Sequence, residues 1–395
     1  MDRRNRKDVV ILCQYFYPEK ITSALLPYMT AEKLVDNSFS VDVICGIPSN
    51  YLNNKVSVPK NEEVRGINVK RLSYLTFKSK KFFYRIMNFL SLILSFFFQI
   101  PSLRFYKAII VYSNPPILPI IAILAKKLFG NKLIFVCYDV YPEIAINSKI
   151  IKKDSIISRF MNIVNKKLFK NADRVVALSQ EMKEFIINNR DISLNKVIVI
   201  PNWSTEVTCS LPQNMETEVF TISYFGNIGI AQDFEAIKIA MRHFSNDPTI
   251  RWIFAGHGKY YEALNRFVDE NKIDNVRLVG YLNQKELNDL AMVSSCFILS
   301  LKNDLTGLAV PSKFYTYLNY RRPIIAVISK NTDIYKEINL YNIGIGVEND
   351  NPVKLINSIN NIKENPGKYS NEIYDKIYNP DLSLTKYVEM MKEMI

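Results

Sequence analysis

Phe220 to Ile237 reads FTISYFGNIGIAQDFEAI. Its first six residues mix β-branched, aromatic and small hydroxyl side chains, the composition of a buried strand. Gly226-Asn227-Ile228-Gly229 follows, a turn whose glycines let a phosphate or sugar approach the backbone N–H groups closely. From about Gln232 the apolar residues recur at helical spacing. One strand, glycine turn and helix decide little alone, but the same unit recurs in both directions along the chain.

Toward the C-terminus the runs RWIFAGHG, NVRLVGYL, SCFILSL, RPIIAVIS and IGIGVE each read as a short buried strand, with helical patterns between them. Toward the N-terminus the rhythm pauses at residues 201–218, a polar, proline-bearing stretch with no period, which reads as a linker. Before it come DVVILCQYF, FSVDVICGI, YKAIIVYSN, NKLIFVCYD, DRVVALSQ and NKVIVIPN, again separated by helical patterns. Alternating strand and helix imposes right-handed crossovers and a parallel sheet covered on both faces. The chain is therefore expected to be α/β, with two Rossmann-like domains facing a central cleft. The expected boundaries are 1–200, a linker at 201–218, a second domain at 219–372 and a helical segment at 373–395 that crosses back onto the first domain.

Composition fits this reading. The chain has 395 residues, too many for one typical domain and comfortable for two. With 51 Lys+Arg against 38 Asp+Glu the net charge is +13, which favours anionic partners. No nucleic-acid recognition motif accompanies the charge, so phosphorylated small molecules and acidic lipids are the expected partners. The five cysteines, Cys13, Cys45, Cys137, Cys209 and Cys296, lack zinc-like spacing, and four lie in apolar strand-like runs. That usage suits a reducing compartment. The apolar run of the first residues is too short for a signal peptide.

One segment breaks the α/β rhythm. Lys78 to Lys107 holds about fifteen nearly uninterrupted apolar residues, short of the ~20 that span a bilayer. Lys78, Lys80, Lys81 and Arg85 precede its apolar centre, Arg104 and Lys107 follow it, and Phe96, Phe97 and Phe98 crowd one end. A crossover helix buried against the first sheet is one reading. The basic flanks and aromatic density favour the other, a helix lying in the interface of an anionic membrane.

Three stretches of the second half carry candidate chemistry. The first is the turn with Gly226, Asn227, Gly229 and Gln232. The second is Gly256-His257-Gly258, a glycine turn at the equivalent edge of the same expected sheet, where ligands of such folds bind. His257 is positioned there to meet a base or sugar. The third is Pro311-Ser312-Lys313, which opens a helix and offers a hydroxyl, a cation and unpaired backbone N–H groups. Together they form an expected diphosphate site that needs no metal.

PSKFYTYLNYRRPIIAV resembles the P-S-K-x-Y-E-Y segment of bacterial family 4 glycosyltransferases of the GT-B type, in particular the fucosamine-transferring enzymes of O-antigen, capsule and colanic-acid assembly. QYFYPEKITSALL, VDVICGIPSNY, YSNPPILP, VCYDVYPEIAI, VVALSQEMKEFI, VIPNW and YFGNIGIAQDFEAI match further family segments in the correct order, so the likeness covers nearly the whole chain. The resemblance implies metal-independent transfer of a sugar, with retention, from a UDP-sugar in the second domain to an acceptor held by the first. A polyprenyl-diphosphate-linked glycan on the inner face of the cell membrane is the implied acceptor, and the implied location is cytoplasmic and peripheral. Asp139, at the family's D-L-W-P-E position, is implied to orient or deprotonate the acceptor hydroxyl, with Glu143 beside it.

The chain departs from the family at several points: the glycine of the family's A-x-G-R-P is Arg321, the first loop, YPEKITSALL, lacks the usual glycine pair, and a pair of acids is missing. Many members carry two glutamates, one of which holds the ribose; here the matching positions are Leu308 and Thr316. Thr316 can donate one hydrogen bond to ribose, where a carboxylate would bind more strongly. The alternative expectation is a catalytically degenerate subunit that scaffolds a partner transferase.

Overall fold

The computed structural model describes residues 6–48, 58–77, 82–205, 218–369 and 374–395. Lys78, Lys80, Lys81, the side chain of Arg85, Cys209 and most of the expected linker lie outside the described residues. The chain forms two compact units. The first comprises Met1–Leu178, Met182–Thr205 and Pro380–Ile395; the second comprises Ser179–Glu181 and Glu206–Asn379.

In the first unit the chain runs β1 (Lys7–Cys13), α1 (Thr22–Asp36), β2 (Val41–Gly46), β3 (Asn61–Val64), β4 (Ile67–Leu72), α2 (Phe82–Phe97), β5 (Tyr106–Tyr112), α3 (Pro119–Phe129), β6 (Lys132–Cys137), α4 (Glu143–Asn147), α5 (Ile156–Asn171), β7 (Arg174–Ala177), α6 (Gln180–Asn189) and β8 (Val197–Val199). The strands form one sheet in the order β3-β4-β2-β1-β5-β6-β7-β8. Every ladder is parallel except that of β3 with β4. The β3–β4 hairpin is absent from the sequence reading. Its strands alternate buried Ile67 and Val69 with exposed Asn68 and Lys70, and Arg65 and Gly66 turn the corner at φ +49° and +76°. That positive-φ pair suits a tight two-residue hairpin turn. No Asn-Gly or Asp-Gly announces it in the sequence.

The second unit runs β9 (Phe220–Phe225), α7 (Glu235–His243), β10 (Ile250–Ala255), α8 (Tyr261–Glu270), β11 (Val276–Val279), α9 (Gln284–Met292), β12 (Cys296–Ser300), α10 (Lys313–Asn319), β13 (Ile324–Val327), α11 (Asp333–Leu340), β14 (Gly344–Val347) and α12 (Pro352–Glu364). Its six strands are all parallel, in the order β11-β10-β9-β12-β13-β14. The sheet reverses direction about β9, so the turn after β9 lies where ligands of doubly wound sheets bind. The last helix, α13 (Pro380–Met394), returns to the first unit. There Leu384, Tyr387, Val388 and Met391 join the core with Trp203 and the strand residues Val9, Ile11 and Ile110.

Candidate functional site

In the second unit the two glycine turns interlock at the C-terminal ends of β9 and β10. The Gly226 N–H donates to the Ala255 carbonyl at 2.7 Å, and the Ile228 N–H donates to the His257 carbonyl at 2.9 Å. Gly226 has φ +113° and Gly256 φ +141°, values that side-chain-bearing residues rarely adopt. A Cβ on Gly256 would sit 2.0 Å from the Gly226 carbonyl oxygen, and one on Gly258 2.0 Å from that of Ile228. These two glycines are required by the packing of one turn on the other. Gly229 is braced differently, its N–H donating to Gln232 Oε1 at 2.8 Å. Gln232 precedes the helix, which begins at Glu235.

α10 brings Lys313 to this turn. Tyr317, one helical turn after Lys313, donates its hydroxyl to the Phe225 carbonyl at 3.1 Å and accepts from the Phe225 N–H at 2.8 Å. Its ring stacks on Phe297 of β12 with centroids 4.5 Å apart. The end of β9 and the start of α10 are thereby fixed together, and residues i and i+4 share a helix face. Lys313 Nζ lies 3.4 Å from the Asn227 carbonyl oxygen, which also accepts the Tyr224 hydroxyl at 2.7 Å. The ammonium stands 5.1 Å from the centre of the Tyr224 ring. Gly226 leaves the room: a Cβ there would be 2.9 Å from Lys313 Cε. No carboxylate pairs with Lys313 among the described residues, and burial lowers its pKa to about 8. An amine held in this way gains most from a ligand that brings negative charge.

Ser312 occupies the N-cap of α10, but its side chain caps no backbone N–H. The helix has seven residues, so its dipole is a smaller contribution than the lysine charge. Thr316 is half-buried on the same helix. Leu308 is 2% exposed and belongs to the core, which leaves no room for a solvated acid there. His257 turns its Nε2 to accept the Tyr281 N–H at 3.0 Å, which leaves the proton of the neutral ring on Nδ1. Tyr224 and Tyr317 escaped the sequence reading, although Tyr317 lies within the segment that carried the family likeness.

In the first unit Asp139 follows β6. Ser113, just beyond β5, fixes the loop by accepting the Tyr138 and Asp139 N–H groups at 3.0 and 3.1 Å. The Asp139 carboxylate has no hydrogen-bond or ion-pair partner among the described residues, and burial raises its pKa to about 6. Glu143 differs: it forms an ion pair with Arg190 Nη2 at 2.6 Å, and Arg190 also donates to the Tyr141 carbonyl at 3.3 Å. The geometry therefore distinguishes the two acids, one free to take a proton and one engaged in holding the loop.

α2 turns its polar side chains toward the protein. Asn88 exchanges hydrogen bonds with the backbone of Phe77, Ser91 accepts the Leu75 N–H, and Ser95 donates to the Ser73 carbonyl at 2.7 Å. Phe83, Leu90, Leu94 and Phe97 face outward, 65, 58, 57 and 52% exposed, and Phe98 follows at 70%. Phe96 corrects the sequence expectation. It is fully buried with Leu92 and packs inward, because its position puts it on the opposite helix face from Leu94 and Phe98. An apolar dent of about 370 Å³ lies between the end of α2 and α3, lined by Phe97, Phe98, Ile100, Pro101, Leu124 and Leu128. No helix among the described residues is long and apolar enough to cross a membrane.

Residues 28–203 match the profile of Glycosyltransferase Family 4. The chain is 25% identical over 298 residues to the probable glycosyltransferase WbjE of Pseudomonas aeruginosa, covering 72% of this chain and 74% of that protein. Its fold superposes on a sucrose-phosphate synthase of Thermosynechococcus elongatus with a TM-score of 0.77 at 13% identity, covering 98% of this chain and 99% of that one. HepE of Anabaena, solved in complex with UDP and glucose, gives 0.67 at 12% identity with the same coverage. At such identities the solved structures speak to the fold, which is that of GT-B enzymes. The chain is a glycosyltransferase with the GT-B fold, and its residues 28–203 match the Glycosyltransferase Family 4 profile.

Proposed function

We propose that this enzyme moves a sugar from a UDP-sugar to a lipid-diphosphate-linked glycan, with retention and without a metal ion, in the assembly of a surface polysaccharide. The observation that carries the donor side is Lys313, an amine held against the Gly226 turn with no carboxylate partner among the described residues. The diphosphate sits on this turn, with Lys313 and the Ser312 hydroxyl against its oxygens. As the bond from the anomeric carbon to the diphosphate breaks, its electron pair passes to UDP and the lysine charge stabilises the growing negative charge. The acceptor hydroxyl adds on the face that UDP leaves, and its proton is released. Asp139, ionised above about pH 6, orients that hydroxyl and can take the proton. Thr316 stands for the ribose-binding acid of the family, so ribose is held by a weaker hydrogen bond.

The outward apolar face of α2 supports the acceptor side of the reading, since a lipid-linked acceptor requires an enzyme that works at a bilayer surface. We infer attachment to the cytoplasmic face of the membrane through this helix. The test is product mass spectrometry with a panel of UDP-sugars and a polyprenyl-diphosphate sugar, with EDTA present and absent. Transfer unaffected by EDTA, and reduced in Lys313→Ala and Asp139→Asn, is the expected result. The core position of Leu308 favours a second reading, a degenerate scaffolding subunit. Absence of any thermal shift with UDP, together with full cellular function of Asp139→Ala, would decide for it.

A further inference from the structure

A second helix of the first unit presents an apolar face that stands exposed among the described residues. On α5 the side chains of Met161, Val164, Leu168 and Phe169 are buried, while Ile156, Phe160 and Ile163 are 85, 49 and 54% exposed. These three fall at i, i+4 and i+7, which is one face of a helix. The same outer surface continues into Lys166, Lys167 and Lys170, all exposed, and α5 contains no acidic residue. Globular surfaces seldom leave such an ordered apolar stripe uncovered.

The placement of α5 follows from the sheet. The chain steps from β4 to β5, β6 and β7 in one direction across it, so right-handed crossovers set α2, α3 and α5 on the same side. α3 packs on α5 and touches α2. It adds Leu128, 65% exposed, and the exposed Lys127. Residues 64–138, which include α2 and α3, hold twelve Lys and Arg and not one Asp or Glu, although Arg65, Arg71, Lys107 and Lys126 pair with Glu32, Glu62, Asp8 and Asp173. Protein interfaces are depleted in lysine, whereas apolar side chains rimmed by lysines match the acyl and phosphate layers of an acidic bilayer.

We propose that α5 is a second membrane-contacting helix, lying in the interface of an anionic bilayer with Ile156, Phe160 and Ile163 among the acyl chains and Lys166, Lys167 and Lys170 on the lipid phosphates. The inference rests on the reading of α2 as an interfacial helix and extends it to a platform of two helices. A platform fixes the orientation of the unit on the surface, which one helix alone leaves free to roll.

The experiment is cosedimentation of the full chain with phosphatidylcholine vesicles, with and without phosphatidylglycerol. It compares wild type, the triple variant Ile156→Ser/Phe160→Ser/Ile163→Ser, the triple variant Lys166→Gln/Lys167→Gln/Lys170→Gln, and Leu90→Ser/Leu94→Ser. Wild type is expected to bind the acidic vesicles. The apolar α5 variant should lose about tenfold or more in partitioning, and the lysine variant should lose binding on acidic vesicles only. All substituted side chains are exposed, and unchanged thermal melts verify that the variants fold. Loss of binding in the α2 variant with both α5 variants at wild-type level overturns the α5 proposal and leaves the α2 reading standing. Failure of wild type to bind any vesicle overturns both. If the apolar α5 variant dissociates an oligomer on size exclusion without changing vesicle binding, the stripe is a contact between copies and the proposal falls.

Discussion

At the residue scale, two groups hold the proposed chemistry, and each makes a measurable claim about protons. Lys313 has its pKa lowered to about 8 by burial. A diphosphate placed against it restores the higher value, so donor binding takes up a proton where the free amine is partly neutral. At pH 8 UDP is itself fully ionised, and the uptake should be about half a proton, falling toward zero at pH 6. Calorimetric titration with UDP in buffers of different ionisation enthalpy reads this directly. Lys313→Arg should keep much of the binding and abolish the uptake, and Lys313→Ala should weaken binding about 10–100-fold, the worth of one charge-assisted hydrogen bond. Asp139 runs the other way. Its folded pKa of about 6 lies above that of an unfolded aspartate, so the folded state holds the proton more tightly between roughly pH 4 and 6. Stability therefore falls as pH rises through that window, and the penalty is complete above it. Asp139→Asn should gain up to about 3 kcal/mol at pH 8 and nothing below pH 4, while turnover falls about 10²–10⁴-fold. Denaturant melts at the two pH values beside steady-state rates separate a catalytic acid from a structural one.

At the scale of elements, α10 works because Tyr317 ties it to β9. Tyr317→Phe keeps the stacking on Phe297 but leaves the buried Phe225 N–H and carbonyl without their hydroxyl partner, a loss of about 1–3 kcal/mol. Because Lys313 is set by the same helix, UDP affinity should fall with stability; a variant that loses stability alone would show that Lys313 is placed by something else. Such ties mark the limit of what sequence discloses. The glycine turns and the Pro-Ser-Lys helix start were legible, because strand, glycine and helix follow each other within a dozen residues. All the parallel strands of both sheets except β4 were legible as short β-branched runs. The reason the glycines are there was not, since Gly256 and Gly258 answer to carbonyls about thirty residues earlier in the chain. The same holds for Glu143, whose engagement by Arg190 spans 47 positions. Phe96 misled because a run of three phenylalanines looks uniform in sequence, whereas on a helix each points a different way.

At the scale of the molecule, the first unit is discontinuous: α13, made last, completes a core begun by β1. Its Leu384, Tyr387, Val388, Met390 and Met391 are all buried at 7% exposure or less. Burying such side chains is worth roughly 1.5–3 kcal/mol each, and the sum rivals the whole net stability of a domain, about 5–15 kcal/mol. The partners left behind include Trp203 and Leu34, and Lys33 would lose its ion pair with Asp381 at 2.5 Å. Residues 1–205 made alone should therefore fail to fold cooperatively, even though they contain the whole eight-stranded sheet. Adding residues 374–395 as a separate peptide should restore a cooperative thermal transition and protease resistance. The second unit gives the control, because its core draws no residue from α13. Residues 206–379 made alone should melt as a unit whether or not the peptide is present. If instead residues 1–205 melt cooperatively without the peptide, α13 is an accessory strap and the first unit folds without it.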